Sequence, residues 1–215
     1  RDVEPGEAVF IDTKLNVVSC VLKESARAHC MFEWVYFARP DSHIDGRSVY
    51  NARLKLGRQL AKRWTIPIDV VIPVPDTART AAAAFAEAIG VKCREGLIKN
   101  RYIGRTFIMP TQSKRDNSVR LKLNPIIASI NGRRVAVVDD SIVRGTTSRK
   151  IVQLLRDAGA TEVHFISTCP PIKNPCHYGI DFPTADELIA AHKTEDEICT
   201  EIGADSLTFQ YIDDV

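Results

Sequence analysis

The sequence predicts an α/β protein built on a mostly parallel, twisted sheet that is flanked by helices. Two observations lead to this prediction. Short apolar segments with the composition of buried strands alternate with segments whose apolar residues recur every three or four positions. The most distinctive strand, residues 135–138, leads directly into a loop of small and hydroxyl residues and then into a helix. This order is expected at the carboxyl edge of a parallel sheet.

The composition indicates a globular protein of one domain, or of one domain with an appendage. The chain has 215 residues, of which 45% are hydrophobic and 26% charged, and its net charge is +2. This small net charge argues against a nucleic-acid surface, and no apolar run is long enough to cross a membrane. Six cysteines without a regular short spacing predict reduced thiols and a cytoplasmic location. Because the chain begins with Arg1, we expect a fragment.

The first third of the chain is predicted to hold a hairpin, a strand and a helix. Residues 8–11 and 17–22 flank a polar turn, which predicts a β-hairpin within residues 1–25. Residues 31–37 are aromatic and β-branched, a composition typical of a strand. Apolar residues at steps of three and four from Val49 to Trp64 predict a helix.

The middle of the chain is predicted to contain two strand–helix units. Residues 68–75 form a buried apolar run, and an alanine-rich helix that ends at Gly90 follows it. After a short strand at residues 97–98, the strand at residues 135–138 precedes a helix from about Thr147 to Ala158, which Gly159 terminates.

The last quarter is predicted to add two strands and two short helices. Residues 162–168 and 206–211 have the composition of strands. Between them, Thr184-x-x-Glu187 and Thr194-x-x-Glu197 match the capping box that begins a helix.

Two adjacent carboxylates, Asp139 and Asp140, end the strand at residues 135–138. The helix that follows offers unpaired N–H groups and partial positive charge to an anion, and Gly145 lets the backbone approach it closely. Carboxylates repel a phosphate and are better suited to sugar hydroxyls or hydrated Mg²⁺. We therefore expect a sugar phosphate with a metal. The alternative is an ordinary strand–loop–helix unit in which an aspartate caps the helix.

Two other stretches are candidate parts of the same site. Residues 75–79 lie at a second strand–helix junction, where backbone N–H groups could hold pyrophosphate and Thr77 could reach a metal; the alternative is a helix cap at Asp76 or Thr77. Residues 99–110 mix cations with aromatic residues around Gly104. Such a loop could close over a polyanionic leaving group, so we expect residues 99–123 to form a mobile lid; the alternative is a solvated basic surface.

The run Val-Asp-Asp-Ser-Ile-Val-Arg-Gly-Thr-Thr at residues 138–147 resembles the phosphoribosyl-pyrophosphate (PRPP) loop of type I phosphoribosyltransferases. Together with residues 36–42, 99–108 and 178–181, it is similar to the glutamine PRPP amidotransferase family. This resemblance implies the type I phosphoribosyltransferase fold with a mobile basic loop. It also implies the first step of de novo purine biosynthesis, in which PRPP and ammonia from glutamine give 5-phosphoribosylamine, pyrophosphate and glutamate.

The resemblance also implies roles for individual residues. The catalytic residues are expected to be Lys99, Arg101, Tyr102 and Arg105, of which the three cations neutralise the leaving group and Tyr102 lines the ammonia path. Substrate is expected to contact Asp76, Thr77, Asp139, Asp140, Arg144, Gly145, Thr146, Thr147 and Ser148. Mg²⁺ is expected at Thr77, Asp139 and Asp140.

The family has an amino-terminal glutaminase domain whose first residue is a cysteine, whereas this chain begins with Arg1. Residues 1–25 are therefore expected to join that domain to a phosphoribosyltransferase domain at residues 26–215. We expect this fragment to use ammonia and not glutamine. The resemblance further implies purine nucleotide inhibitors and a homo-oligomer.

Cys30 and Cys176 lie where some members of the family place two of the four thiolate ligands of a 4Fe–4S cluster. The other two ligands would lie beyond residue 215, and we favour the alternative of two buried structural thiols in this fragment. The five histidines are scattered and are expected to have surface or packing roles.

Two other functions remain open from the sequence. A PRPP-binding regulator would share the fold without catalysis, although it would have little need for the basic loop. A salvage phosphoribosyltransferase would need a nucleobase pocket, and we identify none in the sequence.

Overall fold

The computed structural model describes residues 3–100, 123–182 and 184–215. The chain divides into two compact units, Arg1–Met31 and Phe32–Val215. In the first unit, β1 (Glu7–Ile11) and β2 (Val17–Val21) pair antiparallel, with Ile11 opposite Val17 at the turn. The predicted hairpin is therefore confirmed.

The second unit is built on a four-stranded parallel sheet in the order β10-β9-β8-β5. These strands are β5 (Val70–Pro73), β8 (Arg134–Asp139), β9 (Glu162–Ser167) and β10 (Ser206–Phe209). Two small antiparallel pairs accompany them: β3 (His43–Ile44) with β4 (Arg47–Ser48), and β6 (Leu97–Lys99) with β7 (Leu123–Pro125).

Helices cover both faces of the parallel sheet. They are α1 (Val49–Lys62), α2 (Arg79–Ile89), α3 (Ile127–Ile130), α4 (Thr146–Asp157), α5 (Ile189–His192) and α6 (Glu195–Ile202). Short 3₁₀ turns at Ala185–Glu187 and Ile212–Asp214 complete the unit. The predicted α/β architecture is thus confirmed. None of the helices in the described ranges has the length and apolar composition needed to span a bilayer.

The core has two layers because alternate residues of each strand point to opposite faces of the sheet. One layer packs Val135, Val137 and Phe165 against helices α4 and α6. The other packs Ala136 and Val138 against α1 and α2. These two helices cross closely at Gly57, where an added Cβ would lie 2.1 Å from the carbonyl oxygen of Ala81. The sheet is therefore held rigidly between helices, and the loops at its carboxyl edge rest on a fixed scaffold.

The strand predicted at residues 31–37 is wrong: this stretch is helical, with a π-helical turn at Glu33–Phe37. Phe32 and Val35, three residues apart, are both buried, which is a helical spacing and not that of a strand face. Its carbonyl end is held by the buried guanidinium of Arg53, which donates to the carbonyl oxygens of residues 34 and 38, each at 2.8 Å. A tertiary contact thus overrides the strand propensity of the aromatic residues.

The two predicted capping boxes have different outcomes. At Thr194 the box is present, since its hydroxyl accepts from the Glu197 amide at 3.3 Å and the Glu197 carboxylate accepts from the Thr194 amide at 2.8 Å. At Thr184 the prediction is wrong, because the 3₁₀ turn that follows has no side-chain cap. The carboxylate of Glu187 binds Arg144 instead.

Candidate active site

Asp139 and Asp140 lie at the carboxyl end of β8, between the ends of its two neighbours in the sheet. The carbonyl oxygen of Val138 accepts from the amide of Val74 at 2.8 Å, and that of Asp139 accepts from the amide of Thr168 at 3.0 Å. Asp139 is 6% exposed, and its carboxylate accepts from the amide of Asp140 at 2.8 Å. The acidic pair is therefore fixed by backbone hydrogen bonds on both sides.

Asp140 is half-buried and connects two loops. Its carboxylate accepts from the Ser141 hydroxyl at 2.6 Å and also from the hydroxyl of Thr77, which belongs to the loop after β5. A carboxylate from the end of β8 and a hydroxyl from the loop after β5 thus meet at one place, next to Asp139. Of the alternatives, a helix cap at Asp139 or Asp140 is excluded because Gly145 occupies the cap position of α4.

Burial raises the pKa of the Asp139 carboxyl well above its usual range, and the adjacent charge of Asp140 raises it further. Burial also raises the pKa of Asp140, although hydrogen bonds from Ser141 and Thr77 and the positive charge of Arg53 oppose this rise. Ionising both groups is therefore unfavourable until a cation or hydroxyl donors approach them.

The donor set at the acidic pair suits Mg²⁺ and ribose hydroxyls. All its side-chain ligands are oxygens, which Mg²⁺ prefers, and Mg²⁺ usually keeps water and substrate phosphate oxygens in its remaining positions. Within the described ranges, no group of three or more histidine, cysteine, aspartate or glutamate side chains is arranged around a metal position. The pair therefore fits a metal that arrives with a phosphate-bearing ligand, and not a closed protein site.

The loop at residues 141–148 begins helix α4 with a glycine in the left-handed region. Gly145 has φ +74°, and an added Cβ would lie 2.7 Å from Cδ1 of Ile189. Thr146 and Thr147 are exposed and Ser148 is buried. The predicted hydroxyl-rich anion site is therefore open to solvent at the first turn of a helix of 12 residues.

The loop after β5 approaches the acidic pair from the other strand. The Pro75–Asp76 peptide bond is cis, and α2 begins after Ala78 with no side-chain cap. The alternative of a helix cap at Asp76 or Thr77 is therefore excluded. The carboxylate of Asp76 lies 3.7 Å from Arg79 and 3.6 Å from Lys99, so Lys99 lies beside the loop after β5.

The comparisons with known proteins agree with this geometry. A family model described as phosphoribosyl transferase domain matches residues 54–181, a span that contains both strand-end loops. The chain belongs to the phosphoribosyltransferase family. Its predicted resemblance to this family is confirmed.

Individual phosphoribosyltransferases of the amidotransferase type are similar over nearly the whole chain. The amidophosphoribosyltransferase of Pyrococcus horikoshii is 56% identical over 209 residues, which are 97% of this chain and 46% of that protein. The enzyme of Pseudomonas aeruginosa is 52% identical over 222 residues, covering 100% of this chain and 44% of that protein.

A solved structure of glutamine PRPP amidotransferase from B. subtilis, complexed with ADP and GMP, superposes with a TM-score of 0.87. It is 50% identical and covers 100% of this chain and 47% of that chain. The type I phosphoribosyltransferase fold is thereby confirmed. This chain spans about half the length of the relatives it matches.

Several predicted residues of the phosphoribosyltransferase site are not part of the described geometry. Arg101, Tyr102 and Arg105, and with them most of the expected lid at residues 99–123, lie outside the described residues. Cys30 is exposed in the first unit and Cys176 is partly exposed in the second. The interpretation of two buried thiols is therefore wrong. Within the described residues no group of three or more histidine, cysteine, aspartate or glutamate side chains is arranged around a metal position, and a 4Fe–4S cluster at Cys30 and Cys176 of the whole protein stays a prediction.

Two residues that act on residues of the candidate site were missed by sequence analysis: Arg53, whose charge acts on Asp140, and Glu187, which binds Arg144. A signal for Arg53 existed, because it interrupts the apolar stripe of α1 yet is 2% exposed. For Glu187 the sequence suggested a different partner, since Thr184 lies at capping-box spacing from it. Only the fold brings the glutamate to the loop after β8.

Proposed function

We propose that this chain is the phosphoribosyltransferase part of an amidophosphoribosyltransferase, which forms 5-phosphoribosylamine and pyrophosphate from PRPP and ammonia. The observation that carries the proposal is the contact between Thr77 and Asp140, because it joins the loop expected to bind pyrophosphate to the carboxylates expected to bind ribose. The identity of 50% or more to amidophosphoribosyltransferases over the whole chain supports the choice of ammonia as acceptor.

In this reaction the bond between ribose C1 and the pyrophosphate oxygen breaks, and a bond from ammonia nitrogen to C1 forms. The ammonium product then loses one proton. The protein must hold the two partners in line and stabilise the separating charges. Asp139 and Asp140 accept hydrogen bonds from the ribose hydroxyls, and their negative charge stabilises the positive charge that develops on the sugar ring.

The two ends of PRPP bind to the two strand-end loops. We place the 5-phosphate at the loop of Gly145, Thr146, Thr147 and Ser148, with Arg144 beside it. We place the pyrophosphate at the backbone around Asp76 and Thr77, with Lys99 neutralising its charge. Mg²⁺ would be held by Thr77, Asp139 and Asp140, and when bound it neutralises pyrophosphate oxygens and so makes pyrophosphate a better leaving group.

Ligands and surroundings of the whole protein are part of the same proposal. The B. subtilis relative was solved with ADP and GMP, and its 50% identity supports inhibition of this protein by purine nucleotides. The family resemblance supports a homo-oligomeric state and glutamine as the source of ammonia. The six cysteines, which have no regular short spacing, support a cytoplasmic location.

The test is to assay residues 1–215 for pyrophosphate release from Mg-PRPP, with ammonium chloride at high pH or glutamine as the nitrogen donor. We expect slow turnover with ammonia and none with glutamine, because the proposal assigns residues 1–215 to the phosphoribosyltransferase part alone, which spans about half the length of the relatives. The double variant Asp139→Asn, Asp140→Asn is the control and should be inactive. Intact PRPP binding without ammonia-dependent turnover would favour a regulator.

A further inference from the structure

The segment around Glu187 packs against the loop of residues 141–148 from the side of α5. The amide of Ile189 donates to the carbonyl oxygen of Val143 at 2.9 Å. The side chain of Ile189 fills the space where a side chain on Gly145 would lie. The loop is thus supported by residues more than 40 positions later in the chain.

Arg144 provides the polar part of this support. Its Nε donates to Glu187 at 2.7 Å, and a terminal nitrogen donates to the same carboxylate and, at 2.9 Å, to the carbonyl oxygen of Asp181. The two side chains are 41% and 35% exposed. Since an ion pair this exposed contributes little to global stability, its main effect is on the local conformation of the loop.

The contact also explains why Glu187 is compatible with a phosphate site. An unpaired carboxylate beside the loop would repel the 5-phosphate, whereas a carboxylate paired with a guanidinium adds no net charge. Pairing also restricts the rotamers of Arg144, so that less conformational entropy is lost when phosphate binds. Two nitrogens of the guanidinium donate to the one carboxylate, and such charge-assisted hydrogen bonds fix the orientation of the guanidinium.

We propose that Glu187 is a positioning residue for the 5-phosphate end of the substrate, and that it acts through Arg144 on the loop of residues 141–148. This inference rests on the proposed function, because it takes PRPP as the ligand. It assigns Glu187 no contact with substrate.

Calorimetric titration of three ligands tests the inference: ribose 5-phosphate, Mg-PRPP and Mg-pyrophosphate. Glu187→Ala should weaken binding of the first two ligands by about tenfold, because an Arg144 that is no longer held in place loses the equivalent of one charge-assisted hydrogen bond to the 5-phosphate, and it should leave binding of Mg-pyrophosphate unchanged. Glu187→Gln keeps one acceptor and should lose less. In the ammonia assay, KM for PRPP should rise by a similar factor while kcat stays within about twofold, because the contacts that Arg144 and the loop make with the 5-phosphate are the same in the bound substrate and in the transition state.

The matched control is Asp69→Ala, which removes an arginine–aspartate pair of similar exposure, with Arg134 at 2.8 Å, at the amino end of β8 and so at the opposite edge of the sheet from the loop. It should leave all three affinities unchanged. Unchanged affinity of Glu187→Ala for ribose 5-phosphate, or an equal loss for Mg-pyrophosphate, would overturn the inference. If the unaltered chain binds none of the three ligands, the proposed function fails instead.

Discussion

Asp139 illustrates at the scale of one residue how a buried carboxyl group of a candidate binding site lowers the free energy of unfolding. Its folded pKa lies above the value of 3.8 that an unburied aspartate has. A group with a raised pKa contributes stability that is fully present below its unfolded pKa and is lost as the pH rises through its folded pKa. At neutral pH, Asp139 therefore destabilises the protein in the absence of ligand.

Replacing Asp139 by Asn should accordingly raise the free energy of unfolding at pH 7 by on the order of 1 kcal/mol per unit of pKa shift. The amide keeps the acceptor for the backbone of Asp140 and removes the charge. The gain should shrink as the pH falls toward 4, and Mg-PRPP affinity should fall at least tenfold. Thermal melts in EDTA between pH 4 and 8, with calorimetry for the ligand, measure both effects.

Asp69→Asn is a control for which we expect the opposite change in the free energy of unfolding. Hydrogen bonds from Arg134 lower the pKa of Asp69 to about 2, so its contribution to stability is present above pH 3.8 and is lost as the pH falls through about 2. This variant should be destabilised at pH 7 and unchanged in ligand affinity. A destabilised Asp139→Asn at neutral pH would contradict the electrostatic account of the acidic pair.

The acidic pair and Thr77 could be predicted at this scale because a strand end is a local pattern. Two carboxylates after a buried apolar run mark one edge of a parallel sheet, and Thr77 follows another such run. Arg53 and Glu187 could not be predicted in the same way, since their partners at Ala38 and Arg144 are brought near only by the tertiary fold.

At the scale of elements, the loop before α4 requires a glycine for two separate reasons. Gly145 has a positive φ, and its α-carbon faces Ile189. Gly203, at the end of α6, has almost the same φ of +75° and nothing within 4 Å of an added Cβ. Comparing the same substitution at the two positions therefore separates the cost in stability of backbone strain from the cost of steric overlap.

Gly203→Ala should lose about 1 kcal/mol of stability from the left-handed backbone alone. Gly145→Ala should lose roughly a further 1–3 kcal/mol because the methyl group overlaps Ile189, and it should also weaken ribose 5-phosphate binding. Urea denaturation and calorimetry of the two variants provide the comparison. Equal losses of stability would show that Ile189 can move away from the added methyl group and that its packing does not determine the conformation of the loop.

Most of the longer elements could be predicted from apolar periodicity, and the two wrong predictions have a common cause. The turn at Glu33–Phe37 is helical because a buried cation from α1 caps its carbonyl groups, which no local pattern encodes. At Thr184 the box spacing is present, but Glu187 has a stronger partner in Arg144. In both cases a charge from a distant element decides the local structure.

At the scale of the whole molecule, the strand order creates the site. Strands β5 and β9 are both neighbours of β8, so the loops that follow the three strands converge although they are separated by up to about 90 residues. The sequence predicted a parallel sheet but not this order, because alternation of strands and helices is compatible with several orders. The family resemblance implied the fold as a whole.

A ligand that bridges these loops should stabilise the molecule as a whole. At a free Mg-PRPP concentration of about 100 times Kd, linkage predicts about 2.7 kcal/mol, which corresponds to a rise in Tm of roughly 5–10 °C for a domain of this size. Calorimetric scans with Mg-PRPP should show this shift. PRPP with EDTA, and Mg-PRPP with the double variant of the acidic pair, should show much smaller shifts.

The packing of Ile189 and Glu187 against the loop at residues 141–148 bears on how this site can be engineered. A graft of the loop alone onto another scaffold would leave Arg144 without its carboxylate and Gly145 without the methyl group that it faces. The transferable module is discontinuous and consists of the end of β8, the start of α4 and the segment from Asp181 to Ile189. Recombination breakpoints between residues 150 and 180 would separate its halves, so chimeras cut there should fold but bind substrate poorly unless both parents contribute compatible halves.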